Sequence, residues 1–410
     1  MNLRLGLILL LLLLVAVVVM PAQAQEDVCP AEILERALVE LGTNCANLGR
    51  NNACYGFNDV QADFVGAVPS GFFSQPSDRA DLNVLQSIRT APLDKAEGTW
   101  GIATLNVQAN LPGALPGQNV VFMLLGAVEI EDAVPPEDAL ILPDDPLEVM
   151  TADVAQLRSE PDPKAPIAST VLAGTPLWAD GVSADSQWLR VFFMAGREAT
   201  AWVHVASLDS PPALTDLPVI TPESRTPMQA FHFQTGLGGV QCDEAPSLLL
   251  VQGPENIAVN ITANGADIEI GSFIVLRTLG DDTMQIIVLS GGAKLNPHST
   301  RPIYAPPGFT SLCPLNSILR GNCSWTTPRV MFKTEQVLLL IINRIFQRAA
   351  NLFHYIVHVP EVVCASGIGG VVCELEFPEP DLALSRAREQ CGAGQLSPDI
   401  CRVLFPSETS

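Results

Sequence analysis

The chain has 410 residues, of which 44 are acidic and 22 are basic, so its formal net charge at pH 7 is −22. Phosphate backbones and anionic lipid head groups repel such a polyanion, which argues against nucleic acid as a partner. Hydrophobic residues make up 48% of the chain and charged residues 16%. This composition is ample for apolar cores, and the length predicts roughly two to four domains.

The N-terminus has the pattern of a secretory signal peptide. Arg4 precedes an almost unbroken apolar run over residues 5–20, and Ala22-Gln23-Ala24 supplies a small-x-small cleavage site. The run is short for a membrane-spanning helix, and Cys29 lacks the small apolar neighbours of a lipid-attachment site. We therefore expect a secreted chain with residues 1–24 as its signal peptide and no stable membrane span after cleavage. An uncleaved N-terminal anchor is the alternative.

The ten cysteines are an even number and contain no C-x-x-C pair. In an exported chain this pattern predicts disulfides rather than zinc ligands or a redox dithiol. Four pairs are nine or ten residues apart, so we expect short-loop bridges, although spacing does not fix the connectivity. The candidates are Cys45 with Cys54, Cys313 with Cys323, Cys364 with Cys373 and Cys391 with Cys401, which leaves Cys29 and Cys242.

Residues 25–130 are predicted to form an α+β domain. The segment 30–41 places its apolar side chains on one helical face, and Gly42 follows as a stop signal. A second short helix is predicted from Ser77 through Leu85. Residues 101–109 and 119–129 are predicted strands, joined by a loop rich in proline and glycine.

Two linkers are predicted, an acidic one over residues 131–152 and a proline-rich one over 210–227. Residues 131–150 hold seven acids, four prolines and no base. Clustered carboxylates could indicate calcium, but a calcium loop needs alternating Asp or Asn with a central Gly, and the segment has none. We therefore expect a solvated, semi-extended spacer.

Residues 153–209 show strand-like runs about ten residues apart with turn residues between them, which predicts a small β-barrel. Their order resembles the bacterial SH3 (SH3b) family in four motifs: residues 157–161 (LRSEP), 171–175 (VLAGT), 187–191 (QWLRV) and 202–208 (WVHVASL). Ala201 departs from the family, in which Gly usually stands before the last Trp. The resemblance implies an SH3-like barrel that contacts cell-wall peptide, glycan or another envelope protein. Residues 26–130 also resemble a module found ahead of such domains, which implies no activity.

Three tryptophans of this segment are candidate binding residues: Trp178, Trp188 and Trp202. A rigid aromatic ring can stack on a sugar or pack against a peptide, but a barrel of this size also needs aromatic rings in its core. We expect Trp188 and Trp202 to be core residues. Trp178, on a strand edge beside Asp180 and Gly181, is the better candidate for a surface contact.

Residues 228–300 are predicted to form a second β-domain. Its strand-like runs are punctuated by glycine turns, and Asn264-Gly265 between two such runs predicts a hairpin. Residues 261–272 together with 287–292 are similar to FecR-type β-domains, which are exported sensory or scaffold modules. This similarity implies an extracellular sensory component as an alternative function, and it implies no catalysis.

Residues 301–410 hold six cysteines and are predicted as a cysteine-rich, α-containing region, with a helix over 335–359. His354 and His358 are spaced as in zinc hydrolases, but Tyr355 stands where those enzymes place their glutamate. The sequence has no Gly-x-Ser-x-Gly elbow and no phosphate loop.

The predicted fold class is therefore mainly β and multidomain, with an α+β N-terminal unit, a small barrel, a second β-domain and the cysteine-rich region. We predict a secreted, non-enzymatic binding or scaffold protein with no catalytic residue, metal or cofactor, whose partner is a cell-wall or envelope component. A cryptic hydrolase in residues 301–410 is the second alternative.

Overall fold

A computed structural model describes residues 31–108, 119–143, 145–194, 198–209, 214, 217–236, 246–254, 258–271, 273–280, 282–331, 361–367 and 370–376. The predicted signal peptide, the 335–359 helix with His354 and His358, and four cysteines (29, 242, 391 and 401) lie outside these residues. Within the described ranges, no helix is long and apolar enough to cross a membrane.

The fold is mainly β, as the sequence predicts, with one α-helix in the described part of the chain, α1 (Ala31–Asn44). The strands before residue 140 are β1 (Asn52–Phe57), β2 (Val60–Phe64), β3 (Arg79–Asp81), β4 (Leu85–Thr90), β5 (Ile102–Val107), β6 (Val120–Leu125) and β7 (Val128–Asp132). The next group is β8 (Leu147–Thr151), β9 (Ala155–Arg158), β10 (Ile167–Val171), β11 (Pro176–Ser183), β12 (Trp188–Met194), β13 (Glu198–His204), β14 (Leu208–Asp209) and β15 (Val219–Ile220).

The remaining strands are β16 (Ala230–Thr235), β17 (Leu248–Gln252), β18 (Val259–Ala263), β19 (Ala266–Ile270), β20 (Phe273–Leu279), β21 (Thr283–Ser290), β22 (Ala293–Leu295), β23 (Ile303–Ala305), β24 (Phe309–Pro314), β25 (Arg329–Val330), β26 (Glu361–Gly367) and β27 (Gly370–Glu376). Sheet 1 has the order β25-β24-β21-β20-β17-β6-β5-β1-β3, and sheet 2 has the order β2-β4-β7-β16-β18-β19-β22-β23. The insert sheet has the order β10-β9-β13-β12-β11-β8-β14, with β15 beside β11.

Sheets 1 and 2 face each other across one apolar core, in which the rings of Phe122 in sheet 1 and Phe231 in sheet 2 lie 5.0 Å apart. The opposite face of sheet 1 is covered by α1, whose Leu38 and Leu41 pack in a second core with Trp100. Sheet 1 is therefore buried on both faces, which explains unbroken apolar runs such as VVFMLL in β6. Strand β16 of sheet 2 alternates instead, with every second residue buried.

Both sheets contain strands from two distant parts of the chain. Strand β6 pairs antiparallel with β17, and β7 pairs antiparallel with β16. The sequence-based division placed residues 25–130 and 228–300 in separate domains, whereas in the structure they form one sandwich. The insert sheet, made of residues 147–220, interrupts this sandwich between β7 and β16.

The helix predicted from Ser77 through Leu85 is wrong. This segment forms β3, a turn and the start of β4. The side chain of Asp81 accepts a hydrogen bond from the backbone N–H of Asn83, which favours a turn over a helix at this point. Leu85 and Ile88 then point into the sandwich core.

The described parts of the two predicted linkers are packed against the rest of the chain. Residues 133–146, named here the exit segment, bury Val134, Leu140 and Leu142. Residues 217–229, the return segment, run beside them, and Leu140 N–H donates to the carbonyl of Arg225 at 2.7 Å. The described acidic residues of the exit segment, Glu137, Asp138 and Asp145, are exposed, so charge counting missed the few apolar side chains that anchor it.

The cysteine predictions are confirmed for two pairs. Cys45–Cys54 joins the end of α1 to β1, and Cys313–Cys323 joins β24 to the turn that follows it. Cys364 and Cys373 occupy directly opposite positions of the β26–β27 hairpin. The Asn264-Gly265 hairpin is also confirmed, since both residues have positive φ and connect β18 to β19.

Candidate functional site

One face of the insert sheet carries a row of aromatic side chains. Leu189 and Val191 of β12 point into the small core of the insert, so the alternate residues Trp188, Arg190 and Phe192 lie on the other face. Trp202 stands opposite Arg190 on β13, and Trp178 stands opposite Phe192 on β11. The three predicted tryptophans therefore share one face, which we name the aromatic face.

Half of the aromatic face is closed. Trp188 and Trp202 are buried in a cluster with Leu140 and Leu142 of the exit segment and Ile220 of the return segment. A Cβ atom at Gly181 would clash with the Ile220 side chain, so glycine is needed for the return segment to lie this close. These two tryptophans hold the insert against its connecting segments. They are buried as expected, but they lie outside the insert's own core, on the opposite face of the sheet.

A buried ion pair lies between the closed half and Trp178. Arg190 Nε and Nη2 donate to Asp180 Oδ1 and Oδ2, each at 2.8 Å, and both side chains are about 5% exposed. Asp180 is the extra residue of a β-bulge between Ala179 and Gly181, which turns its carboxylate onto the aromatic face. The bidentate geometry satisfies both charges internally, so this pair is not an open binding site.

The other half of the aromatic face is open to solvent. Trp178 is half-buried, and its neighbours Pro176 on the same strand and Met150 on β8 are exposed, Met150 by 45%. Phe192 beside Trp178 is buried. Trp178, Met150 and Pro176 therefore form an apolar surface, named here the open strip, with Glu148 at its edge.

A second candidate is a groove where the insert joins the sandwich. Its volume is about 460 Å³, and it is lined by the ends of β2 and β4, by the exit segment and by Pro227. Leu82 and Leu85 supply buried apolar side chains, and Phe64 and Val65 form one rim. Sequence reasoning missed this site because its walls come from three distant segments, none of which carries a recognisable motif.

Asp132 connects the two chain crossings at this groove. Its Oδ1 accepts hydrogen bonds from the backbone N–H of Val134 at 2.9 Å and of Met228 at 3.1 Å, so it holds the exit and return segments together. Burial raises the pKa of Asp132 to about 6, and the two backbone hydrogen bonds oppose that shift only in part. The carboxyl group therefore titrates closer to neutrality than an ordinary aspartate.

Within the described residues, no group of three or more histidine, cysteine, aspartate or glutamate side chains is arranged to hold a metal ion. The histidine pair considered for zinc lies outside this part of the chain. Within the described part of the chain, the open strip and the groove are two candidate binding surfaces.

No family model matches the chain, and no curated protein matches it. Two crystal structures of a Parabacteroides distasonis protein, whose assignment as an anti-sigma factor is provisional, are similar with TM-scores of 0.23 and 0.22 and 7% sequence identity. The matched regions cover 71% and 70% of this chain and 92% of each of those chains. A likeness at this level defines neither the fold nor the activity of the present chain.

Proposed function

We propose that this is a secreted binding protein that uses the open strip of its insert to contact cell-wall or envelope material. The observation that carries the proposal is the unequal cover of the aromatic face. Intramolecular segments cover Trp188 and Trp202, whereas Trp178 stays half-exposed beside Met150 and Pro176. The SH3b resemblance of residues 153–209 supports the same role for this module.

The open strip suits stacking rather than charge recognition. An indole ring gives a large apolar surface at a low entropic cost, and Trp178 sits on a paired strand, which fixes its backbone. Met150 adds an adaptable thioether beside it. Glu148, directly opposite Trp178, supplies a hydrogen-bond acceptor at the edge of the strip. A sugar ring or an apolar peptide side chain can lie on such a surface, with its polar groups reaching Glu148.

The test is co-sedimentation of the full secreted chain with purified insoluble cell wall. We expect saturable binding that Trp178→Ala weakens at least tenfold and Trp178→Phe weakens less. The matched control is Tyr304→Ala, because Tyr304 is an aromatic residue of sheet 2 with 61% exposure. Soluble glycan fragments and soluble stem peptides, added as competitors, identify which component is bound. Equal binding by the wild type and Trp178→Ala would remove the open strip from the function.

One observation favours the sensory alternative as a second candidate. The insert is joined to β7 and β16, two neighbouring strands near the middle of sheet 2. Ligand binding at the insert can therefore alter the conformation of the middle of this sheet. A sensory role predicts that wall fragments alter amide hydrogen exchange in β7 and β16 as well as in the insert. Changes in hydrogen exchange confined to the insert would argue against the sensory role and leave binding as the only role supported.

A further inference from the structure

The groove at the base of the insert has an unbalanced charge. Among the residues that line it, the ionisable ones are Glu131 and Asp132, and none is basic. The exposed apolar residues of the lining are chiefly Val65, Pro135 and Pro136, and Asn83 and Gln86 add uncharged polar groups. A volume of about 460 Å³ lies within the range of small-molecule sites. Charge and wall chemistry together favour an occupant that is both cationic and apolar.

Two acceptor atoms at the groove have unused capacity. Both hydrogen bonds that Asp132 accepts go to Oδ1, so Oδ2 has no donor among the described residues. The side-chain oxygen of Asn83 is buried in the groove wall and likewise accepts no hydrogen bond from this part of the protein. The terminal torsion of an asparagine amide is soft, so a ligand would use this oxygen only after a rotation that exposes it to the groove.

We propose that this groove binds a primary ammonium group carried on an apolar body, such as the N-terminus of an apolar peptide or a lysine-like side chain flanked by apolar residues. The ammonium group has three N–H donors, which match the Asp132 carboxylate and the Asn83 carbonyl. The apolar body lies against Val65 and the prolines of the exit segment. A carboxylate or phosphate ligand would instead meet Glu131 and Asp132 and be repelled.

This site differs from the open strip, and the proposal does not depend on wall binding. It also differs from a metal site, since the groove offers only two carboxylates, whereas a hard cation needs about six oxygen ligands. The position is consequential because Asp132 holds both connecting segments of the insert. An ammonium ligand on Oδ2 would therefore stabilise the attachment of the insert to the sandwich.

The test uses three peptides and isothermal titration calorimetry on the full chain at physiological salt. The first is Leu-Pro-Leu-amide with a free N-terminus, the second is its N-acetylated form, and the third is acetyl-Leu-Lys-Leu-amide. We expect at least one ammonium-bearing peptide to bind tenfold or more tightly than the acetylated peptide. The first peptide reports an N-terminal source of the ammonium group, and the third reports a side-chain source.

Variants separate the groove from general attraction to an acidic protein. Asp132→Asn keeps an oxygen for the Val134 and Met228 hydrogen bonds but removes the charge, and we expect a tenfold loss of affinity. Asn83→Leu removes the second acceptor independently, with an expected loss of several fold. Glu97→Gln removes one exposed acid outside the groove and should change nothing. Equal binding of all three peptides, no binding of either ammonium peptide, or equal losses for Asp132→Asn and Glu97→Gln would overturn the proposal.

Discussion

The buried carboxyl group of Asp132 predicts a specific dependence of stability on pH. Its pKa is about 6 in the folded protein, against 3.8 for an aspartate exposed to water. The folded state therefore binds the Asp132 proton more tightly than the unfolded state does. The stabilisation that results is complete below the unfolded pKa and is lost as the pH rises through 6. Replacing Asp132 with Asn keeps the size and one oxygen acceptor but removes this titration.

The expected magnitude follows from the size of the pKa shift. Each pKa unit corresponds to about 1.4 kcal/mol. Between pH 5 and pH 8 the protein passes only the part of the shift that lies between pH 5 and the folded pKa of about 6, which is about one unit. Without solvent screening, the free energy of unfolding would therefore fall by about 1.4 kcal/mol over this range. Because the carboxyl group is only partly buried, solvent screening reduces this figure to about 1 kcal/mol. The wild type should thus lose about 1 kcal/mol relative to Asp132→Asn as the pH rises from 5 to 8.

Urea unfolding followed by circular dichroism at several pH values measures this difference directly. Comparison with the variant cancels the titration of all other groups, and Glu97→Gln serves as the control because Glu97 is exposed. Parallel pH profiles for the wild type and Asp132→Asn would refute the reasoning, because they would show that Asp132 titrates alike in the folded and unfolded states.

Three further predictions concern the insert and the sandwich. Leu142→Ala should lower the free energy of unfolding by about 3 kcal/mol and shift tryptophan fluorescence to longer wavelength, since it uncovers the closed half of the aromatic face; an unshifted spectrum would contradict that cover. Arg190→Met should lower the free energy of unfolding, measured with denaturant, by about 3 to 5 kcal/mol, because it leaves the Asp180 carboxylate buried without its partner. The double variant Asp180→Leu/Arg190→Met removes both charges and should recover most of this loss. Replacing Cys313 and Cys323 together by Ser should lower the free energy of unfolding by about 3 kcal/mol, because the unfolded chain loses a loop constraint. Thermal unfolding under non-reducing conditions measures this loss. An unchanged melting temperature would argue that the bridge does not constrain the unfolded chain.

Local patterns predicted the elements whose signals lie within a few residues. The first helix, the hairpin at Asn264-Gly265 and the bridges Cys45–Cys54 and Cys313–Cys323 are confirmed. Each of these has its determinants in one short segment, namely an apolar face, two residues with positive φ, or two cysteines nine or ten positions apart. The stop predicted at Gly42 is wrong, because the helix continues through Gly42 to Asn44.

Long-range pairing left no comparable signal in the sequence. The partners Leu124 and Leu249 are adjacent in sheet 1 but 125 positions apart in the sequence. Neither strand carries a sequence pattern that identifies its partner. The sequence-based separation of residues 25–130 from 228–300 therefore followed the interruption by the insert rather than the pairing. For the same reason the groove was missed. Trp178 was selected as a residue on a strand edge beside Asp180 and Gly181, whereas the structure places it inside β11, paired with β8 and β12.

The attachment of the insert also has a mechanical consequence. The chain leaves the sandwich at the end of β7 and returns at the start of β16, where Asp132 and Phe231 are paired neighbours. A pulling force on the insert therefore acts on one end of the β7–β16 pair and breaks its backbone hydrogen bonds one after another from that end. The force acts first on the two hydrogen bonds that Asp132 accepts from Val134 and Met228, and on the bond between Leu140 and Arg225. These few bonds therefore set the tension at which a tethered insert begins to detach from the sandwich.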